Sequence, residues 1–460
     1  MSSHQPPAPK GNFLLGNLPE YQKDSLGYER YLARTFGDVV HVRWVNRHAY
    51  LVSHPDDVRQ VLVDQAGKFI KAPIYKSLLS YFLGNGLLTS DGDFWRRQRK
   101  LAQPAFHHKR IRAYAEVMVD YSARLLDEWQ PGQTRDINHD MMRLTLSIVA
   151  KTLFNADIEK SARQIGEALT VLLEVTNARI QSPIQIFPEW IPTASNRKAK
   201  EAVRVLDEIV MGIINERRAA GDDQGDLLSM LMLATDEDGR GMTDRQLRDE
   251  AVTLVLAGHE TTANALAWTW YLLAQHPEVE AKLHAELARV LGERQPGPDD
   301  LRQLEYADMI IKEAMRLYPP IPSIARQATE DLELGGYPVK KGMIISISPH
   351  VIHRDPRWYA EPEAFRPERF SKENEQSLPK YAYLPFSYGP RVCIGNTFAS
   401  MEAVLVLATM AQRYRLRLVN DGPVTAQAAL TLRPSENLMM TVERRSPAKA
   451  PVELMAQAVV

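Results

Sequence analysis

The most apolar stretch of the chain, EAVTLVLAGHETTANALAWTWYLLAQ (Glu250–Gln275), is long enough to cross a bilayer but carries His259, Glu260, Thr261, Thr262 and Asn264 at its centre. A lipid core penalises such groups heavily, whereas a protein interior can supply them with partners. The stretch is therefore expected to be a helix buried in the middle of a soluble protein. Around it, from about Lys109 to Tyr318, apolar residues recur with helical spacing, as in MMRLTLSIVAKTLF, IGEALTVLLEVTNARI and EAVRVLDEIVMGIINERR. Breaks are expected at QSPIQIFPEWIPT and TDEDGRGMTD, where proline and glycine interrupt the pattern. Thr243 is placed to cap the helix that follows.

Earlier in the chain, GDVVHVRWV and HAYLVSHP read as strands. After LYPPIP the pattern turns β-like, returns to one helix near Asn396–Tyr414, and ends in short strands. No repeat or long linker divides the 460 residues. The expected architecture is one domain over 1–460, mainly α with a small β region. Hydrophobic residues make up 45% and charged residues 25%, a globular balance with ample core. A formal net charge of −1 argues against bulk attraction to nucleic acid or anionic membrane. The N-terminus has no run fit for a signal peptide or membrane anchor, and a single cysteine suits a reducing compartment. A cytoplasmic protein is expected. Neither a strand-following GxGxxG nor a GxxxxGK[ST] loop occurs, so no nicotinamide, flavin or nucleotide signature is present.

That one cysteine, Cys393, lies in FSYGPRVCIG. Alone it forms no internal disulfide, so it is either an inert core residue or a functional thiolate. Gly389 and Gly395 allow backbone conformations and close approaches that a side chain would block. The helix expected from Asn396 aims unpaired N–H groups and the positive end of its dipole at the sulfur. Arg391 is suited to a carboxylate beside the site, and Phe386 to covering the thiolate. One thiolate is too few for a zinc or iron–sulfur site, but it suffices as an axial ligand to porphyrin iron.

Phe386, Gly389, Arg391, Cys393 and Gly395 fill every fixed position of FxxGxRxCxG, which resembles the haem-binding loop of the cytochrome P-450 family. AGHETT (Ala257–Thr262) looks like that family's oxygen-activation sequence. The resemblance gives Glu260 the role of proton relay and Thr261 that of a hydroxyl facing the oxygen site, with His259 structural. Glu313 and Arg316 in KEAMRLYPP form an ExxR pair. The same spacing also starts at Glu201, Glu237, Glu286 and Glu363, so the pair is informative only through the LYPP and cysteine loop that follow it. With Arg369 of FRPERF it resembles the family's structural Glu–Arg–Arg cluster. WxxxR supplies Trp95 and Arg99; with Arg391 and Arg326 these are the expected partners of the two haem propionates. By family position, Leu78, Phe82, Leu87, Leu256, Ala257, Ile321, Ile324 and Leu430 are the expected wall of a substrate cavity.

The resemblance covers essentially the whole chain. It implies the family's helix-rich prism fold, haem b (iron protoporphyrin IX), and monooxygenation of a lipophilic substrate such as a fatty acid, terpenoid, steroid or carotenoid, using dioxygen. It also implies a monomer with no fused reductase, fed by a ferredoxin, or secondly a flavodoxin, with a separate reductase. Arg96, Arg97, Lys100, Lys109, Arg110 and Arg112 are the basic residues expected near the donor's docking face, although a solvated face explains Arg96, Arg97 and Lys100 as well. Two rival readings stay open at this level: a peroxide-driven hydroxylase or isomerase on the same haem, and a non-catalytic haem sensor.

Overall fold

A computed structural model of the chain describes residues 5–155, 159–181, 191–221, 223–420 and 422–445. The elements used below are, in chain order, β1 (Val39–Trp44), β2 (Arg47–Val52), β3 (Phe69–Lys71), α1 (Pro73–Leu83), α2 (Gly92–Ala102), α3 (Ala115–Asp127), β4 (Thr134–Asp136), α4 (Ile137–Phe154), α5 (Glu159–Gln181) and α6 (Ala194–Ala220). They continue with α7 (Asp244–Gln275), α8 (Pro277–Val290), α9 (Glu305–Leu317), β5 (Ile324–Ala328), β6 (Ile344–Ile347), α10 (Asn396–Arg413), β7 (Tyr414–Leu418) and β8 (Met439–Arg444). The expected break at 181–193 falls largely outside the described residues.

α7 is the axis of the molecule. It starts at a capping box, in which the Thr243 hydroxyl accepts the Gln246 N–H and the Gln246 side chain accepts the Thr243 N–H. Nearly every residue from Leu247 to Leu273 is buried, as a helix apolar on all faces requires. α4 lies closely against it. A Cβ on Gly258 would stand 3.1 Å from Val149, and the Thr145 hydroxyl donates to the His259 carbonyl at 2.9 Å. α3, α9 and α10 complete the same apolar core. Among the described residues no helix is long and apolar enough to cross a membrane.

The β region is separate and mostly antiparallel. One sheet has the order β1-β2-β6-β5-β3, with β2 and β6 parallel, and carries its own small core. β4, β8 and β7 form a second sheet. A short ribbon, Ala426–Ala428 with Leu432–Pro434, turns through Leu430 and Thr431 toward α7.

The ExxR ambiguity resolves by burial. Glu313 and Arg316 are both fully buried and paired at 2.7 Å, and Arg369 joins Glu313 at 3.2 Å. Arg316 also donates to the carbonyls of His353, Pro362 and Ala364. Three charges thus tie α9 to the irregular chain that leads to Cys393. By contrast Glu201–Arg204 is an exposed surface pair, and Arg240 and Arg366 pair with carboxylates outside the ExxR spacing.

Candidate functional site

The polar centre of α7 faces an internal cavity of about 360 Å³. Leu256, Ala257, Gly258, Glu260 and Thr261 form its wall on this side. The Thr261 hydroxyl donates to the Ala257 carbonyl one turn back, at 2.6 Å, yet α7 continues unbroken through this point. Glu260 is almost wholly buried, and burial raises its pKa. Its Oε1 accepts the Thr431 hydroxyl at 2.7 Å, and Thr431 in turn accepts from Asn264 at 3.3 Å. Oε2 has no partner among the described residues. The His259 ring is buried, which lowers its pKa to about 4 and keeps it neutral, in line with the structural role expected.

The cysteine loop supplies another wall. Ser387 and Gly389 take left-handed backbone, φ 60° and 74°, and the Cys393 N–H closes the loop on the Phe386 carbonyl at 2.9 Å. A Cβ on Gly389 would stand 1.8 Å from the Leu62 carbonyl oxygen, so only glycine fits. Gly395 is less confined by the protein itself. Its φ is −91°, and a Cβ there would only touch Cys393 Sγ and Phe106 at 4.0 Å.

Cys393 is accessible through the cavity it lines, while protein packs closely about it. That burial pushes the thiol's pKa up, against the Gly395 N–H and the charge of Arg99, which pull it down. Without a metal cation, desolvation outweighs the N–H groups expected to favour the thiolate.

Beside the thiol the cavity collects cations. Arg99, Arg326 and Arg391 line it as expected, and Lys71 joins them. Arg391 binds Asp91 and the Ser90 carbonyl and lies 4.1 Å over the Trp95 ring, but its Nη1 is buried without a partner among the described residues. Burial lowers its pKa to about 10. Lys71 Nζ donates to the Leu88 carbonyl at 2.6 Å. Burial first, then the charges of Arg326 and Arg391, hold Lys71 well below the usual lysine range. Arg99 donates to the Val392 carbonyl at 2.7 Å. Four cations with Asp91 as the paired carboxylate leave an unmet demand for anions, which the two propionates of a haem would meet. A lone thiol, an unpartnered guanidinium and a large apolar cavity form a donor set that fits haem.

Of the expected cavity residues, Leu87, Leu256, Ala257, Ile321, Ile324 and Leu430 line it. Leu78 and Phe82 do not: Phe82 is fully buried and Leu78 packs against the core. Tyr75, about one and two turns before them on the same face of α1, lines the cavity instead. The basic face also needs correction. Arg96 pairs with Asp93, Arg97 with Asp236, Lys100 with Glu237 and Arg112 with Asp299, so these cations are largely neutralised at home. The side chains of Lys109 and Arg110 lie outside the described residues.

A helix-rich fold whose central helix faces a lone, loop-borne cysteine across a cation-edged cavity defines a haem-thiolate protein. The cytochrome P450 family model matches residues 6–442, and the chain belongs to that family. It is 38% identical to cyclooctatin synthase of Streptomyces melanosporofaciens over 86% of either chain. It is 40% identical to cyclooctat-9-en-7-ol 5-monooxygenase of the same organism over 83% of either. Leukotriene-B4 omega-hydroxylase 3 of Mus musculus is 34% identical over 95% of this chain and 89% of its own. The protein is a cytochrome P450 monooxygenase.

Proposed function

We propose that the chain, as one domain, would hold haem b through the Cys393 thiolate and oxygenates a lipophilic organic substrate. The single observation that carries this reading is the set of Lys71, Arg99, Arg326 and Arg391 lining the cavity beside the thiol. Haem bound there supplies dioxygen activation and the insertion of one oxygen atom into the substrate. Lys71, Arg99, Arg326 and Arg391 would take the propionates, with Trp95 stacked beneath Arg391 and Phe386 walling the thiol. The triad Glu313, Arg316 and Arg369 keeps the cysteine segment in place.

Proton delivery falls to α7. Burial favours the protonated Glu260, whose Oε1 is fixed by Thr431, and the Thr261 hydroxyl stands beside it on the cavity wall. Thr261→Ala removes that hydroxyl without emptying the cavity. The variant should bind substrate nearly as well as the parent while product per electron falls about tenfold and hydrogen peroxide rises to match. Peroxide and product counted against nicotinamide consumed give the answer; an unchanged yield removes Thr261 from the mechanism.

The apolar walls from Leu87, Leu256, Ile321, Ile324 and Leu430 suit a fatty acid, terpenoid, steroid or carotenoid. The two Streptomyces relatives and the mouse hydroxylase carry names of lipophilic substrates or products, which supports the class. Optical titration of the haem-loaded protein with such a panel, followed by substrate-dependent nicotinamide consumption and labelling from isotopic dioxygen, tests the reading. Label absent from the product, with turnover on added peroxide instead, would select the peroxide-driven rival.

Electrons would come from a ferredoxin, or secondly a flavodoxin, with its own reductase. Because the local cations are paired, attraction to an acidic donor should be weak. The first-electron rate is expected to change by less than about threefold between 0.1 and 1 M salt, although the Debye length falls from about 10 to about 3 Å. A steep fall, measured by stopped flow, would restore the electrostatic docking face. Arg97→Glu is not a clean probe of docking, since Arg97 also holds the carbonyls of Arg240 and Gly241.

A further inference from the structure

Two consecutive carboxylates of α7, between two and three turns before the polar centre, grip the loop that follows α1. Asp249 accepts the Asn85 N–H at 2.8 Å, and Glu250 accepts the Leu87 N–H at 3.0 Å and the Gln98 amide at 3.3 Å. Glu250 is fully buried and Asp249 nearly so. The approach is so close that only glycine fits on the loop side. A Cβ on Gly84, at φ +57°, would stand 2.2 Å from the Asp249 carboxylate, and one on Gly86 would stand 2.3 Å from the Thr253 hydroxyl. Beyond the grip the loop puts Leu87 and Leu88 into the cavity wall. Its Leu88 carbonyl then takes Lys71, and its Ser90 carbonyl takes Arg391.

We infer that Asp249 and Glu250 are positioning residues for ligand binding: the charge on Glu250 fixes the Leu87–Leu88 wall of the cavity and makes its rigidity depend on pH. Among the described residues Asp249 has ion-pair partners and Glu250 has none. Asp249 is shared with Arg245 and Arg248, and Arg248 is taken further by Asp207 on α6. On α2, Arg97 reaches Glu250 only through the Gln98 amide. α1 adds only Lys76, and the loop adds Asp91, already paired with Arg391. Burial raises the Glu250 pKa to about 7, Asp249 adds to the rise, and the Leu87 N–H and Gln98 oppose it.

The sign of the effect separates a positioning role from a merely structural one. Above pH 7 the carboxylate is ionised and its hydrogen bond to Leu87 is charge-assisted, hence stronger. The same ionisation costs global stability, because the folded pKa is raised: stability present below the unfolded pKa is lost as pH climbs through 7. E250Q, neutral at every pH, should therefore loosen the loop at pH 8 without weakening the fold.

The test is hydrogen–deuterium exchange of peptides covering 84–89 in the haem-loaded protein, comparing parent and E250Q at the same pH. E250Q should exchange about fivefold faster at pH 8 and equally at pH 6, with a thermal midpoint at pH 8 no lower than the parent's. Equal exchange at both pH values, or the same acceleration at both, overturns the proposal. Should E250Q not accumulate, the parent alone decides: protection of 84–89 relative to β1 and β2 must rise from pH 6 to pH 8. The ligand arm rests on the cavity assignment above and uses clotrimazole, titrated optically. E250Q should bind it about fivefold more weakly than the parent at pH 8 and equally at pH 6. Equal affinity at both pH values, with the exchange result intact, would leave the grip standing and remove its role in ligand binding.

Discussion

Cys393→His should yield a protein whose ferrous carbon monoxide complex lacks the far red-shifted Soret band and whose oxygenase turnover falls to background. The thiolate pushes electron density toward the iron and favours O–O cleavage, and an imidazole does not replace that push. The chain has no second cysteine to substitute for it. The loop around Cys393 is also set by backbone, with Gly389 lodged against the Leu62 carbonyl and the Cys393 N–H bonded to Phe386, so the neighbouring chain should survive the exchange. Because burial raises the thiol's pKa, the metal-free protein should hold it protonated at pH 7, and haem loading should release a proton. Spectrum, turnover and proton uptake or release on loading are three separate measurements. A Cys393→Ser protein that kept both the spectrum and the turnover would end the haem-thiolate assignment for this residue.

Glu313→Gln should damage the fold rather than the chemistry. Glu313 accepts from Arg316 twice, at 2.7 and 2.9 Å, from the Arg366 N–H at 2.8 Å and from Arg369 at 3.2 Å. Removing its charge leaves the fully buried Arg316 guanidinium without a counter-ion, a change worth about 3–5 kcal/mol. The midpoint of denaturant unfolding should fall accordingly. Haem content of the purified protein should drop with it, because the triad anchors the segment leading to Cys393. A loss under about 1 kcal/mol would mean that the carbonyls of His353, Pro362 and Ala364 satisfy Arg316 by themselves.

Contiguous motifs, read through their resemblance to the family, carried much of this candidate site. The loop FSYGPRVCIG and the helix AGHETT are each contiguous, so residue types and intervals suffice to mark Cys393, Glu260 and Thr261, and α7 and α10 begin and end within a few residues of where the pattern puts them. The cap at Thr243 was legible for the same reason, since its hydrogen bonds span only three residues. Spacing failed where residues of one helical face, or near and far partners, had to be told apart. On α1, Tyr75, Leu78 and Phe82 share one helical face, and only the folded chain decides that Tyr75 lines the cavity while Phe82 is buried in the core. ExxR spacing fixes two charges on one helical face but not whether that face is buried.

Tertiary structure alone brought together groups that are remote in sequence. Lys71 enters the cation cluster because β3 pairs with β5, which sets it opposite Arg326. Thr431 reaches Glu260 across a separation of 171 residues. The basic residues of α2 looked free in sequence, yet Asp236 and Glu237 come from a distant turn to neutralise Arg97 and Lys100. The sequence by itself marked the candidate site residues and the helices that bear them, since motifs and helical patterns are both written in short-range intervals. Which charges are buried, paired or left facing the cavity was decided only by the folded chain, because Coulomb interactions and desolvation depend on distance in space and not on distance along the chain.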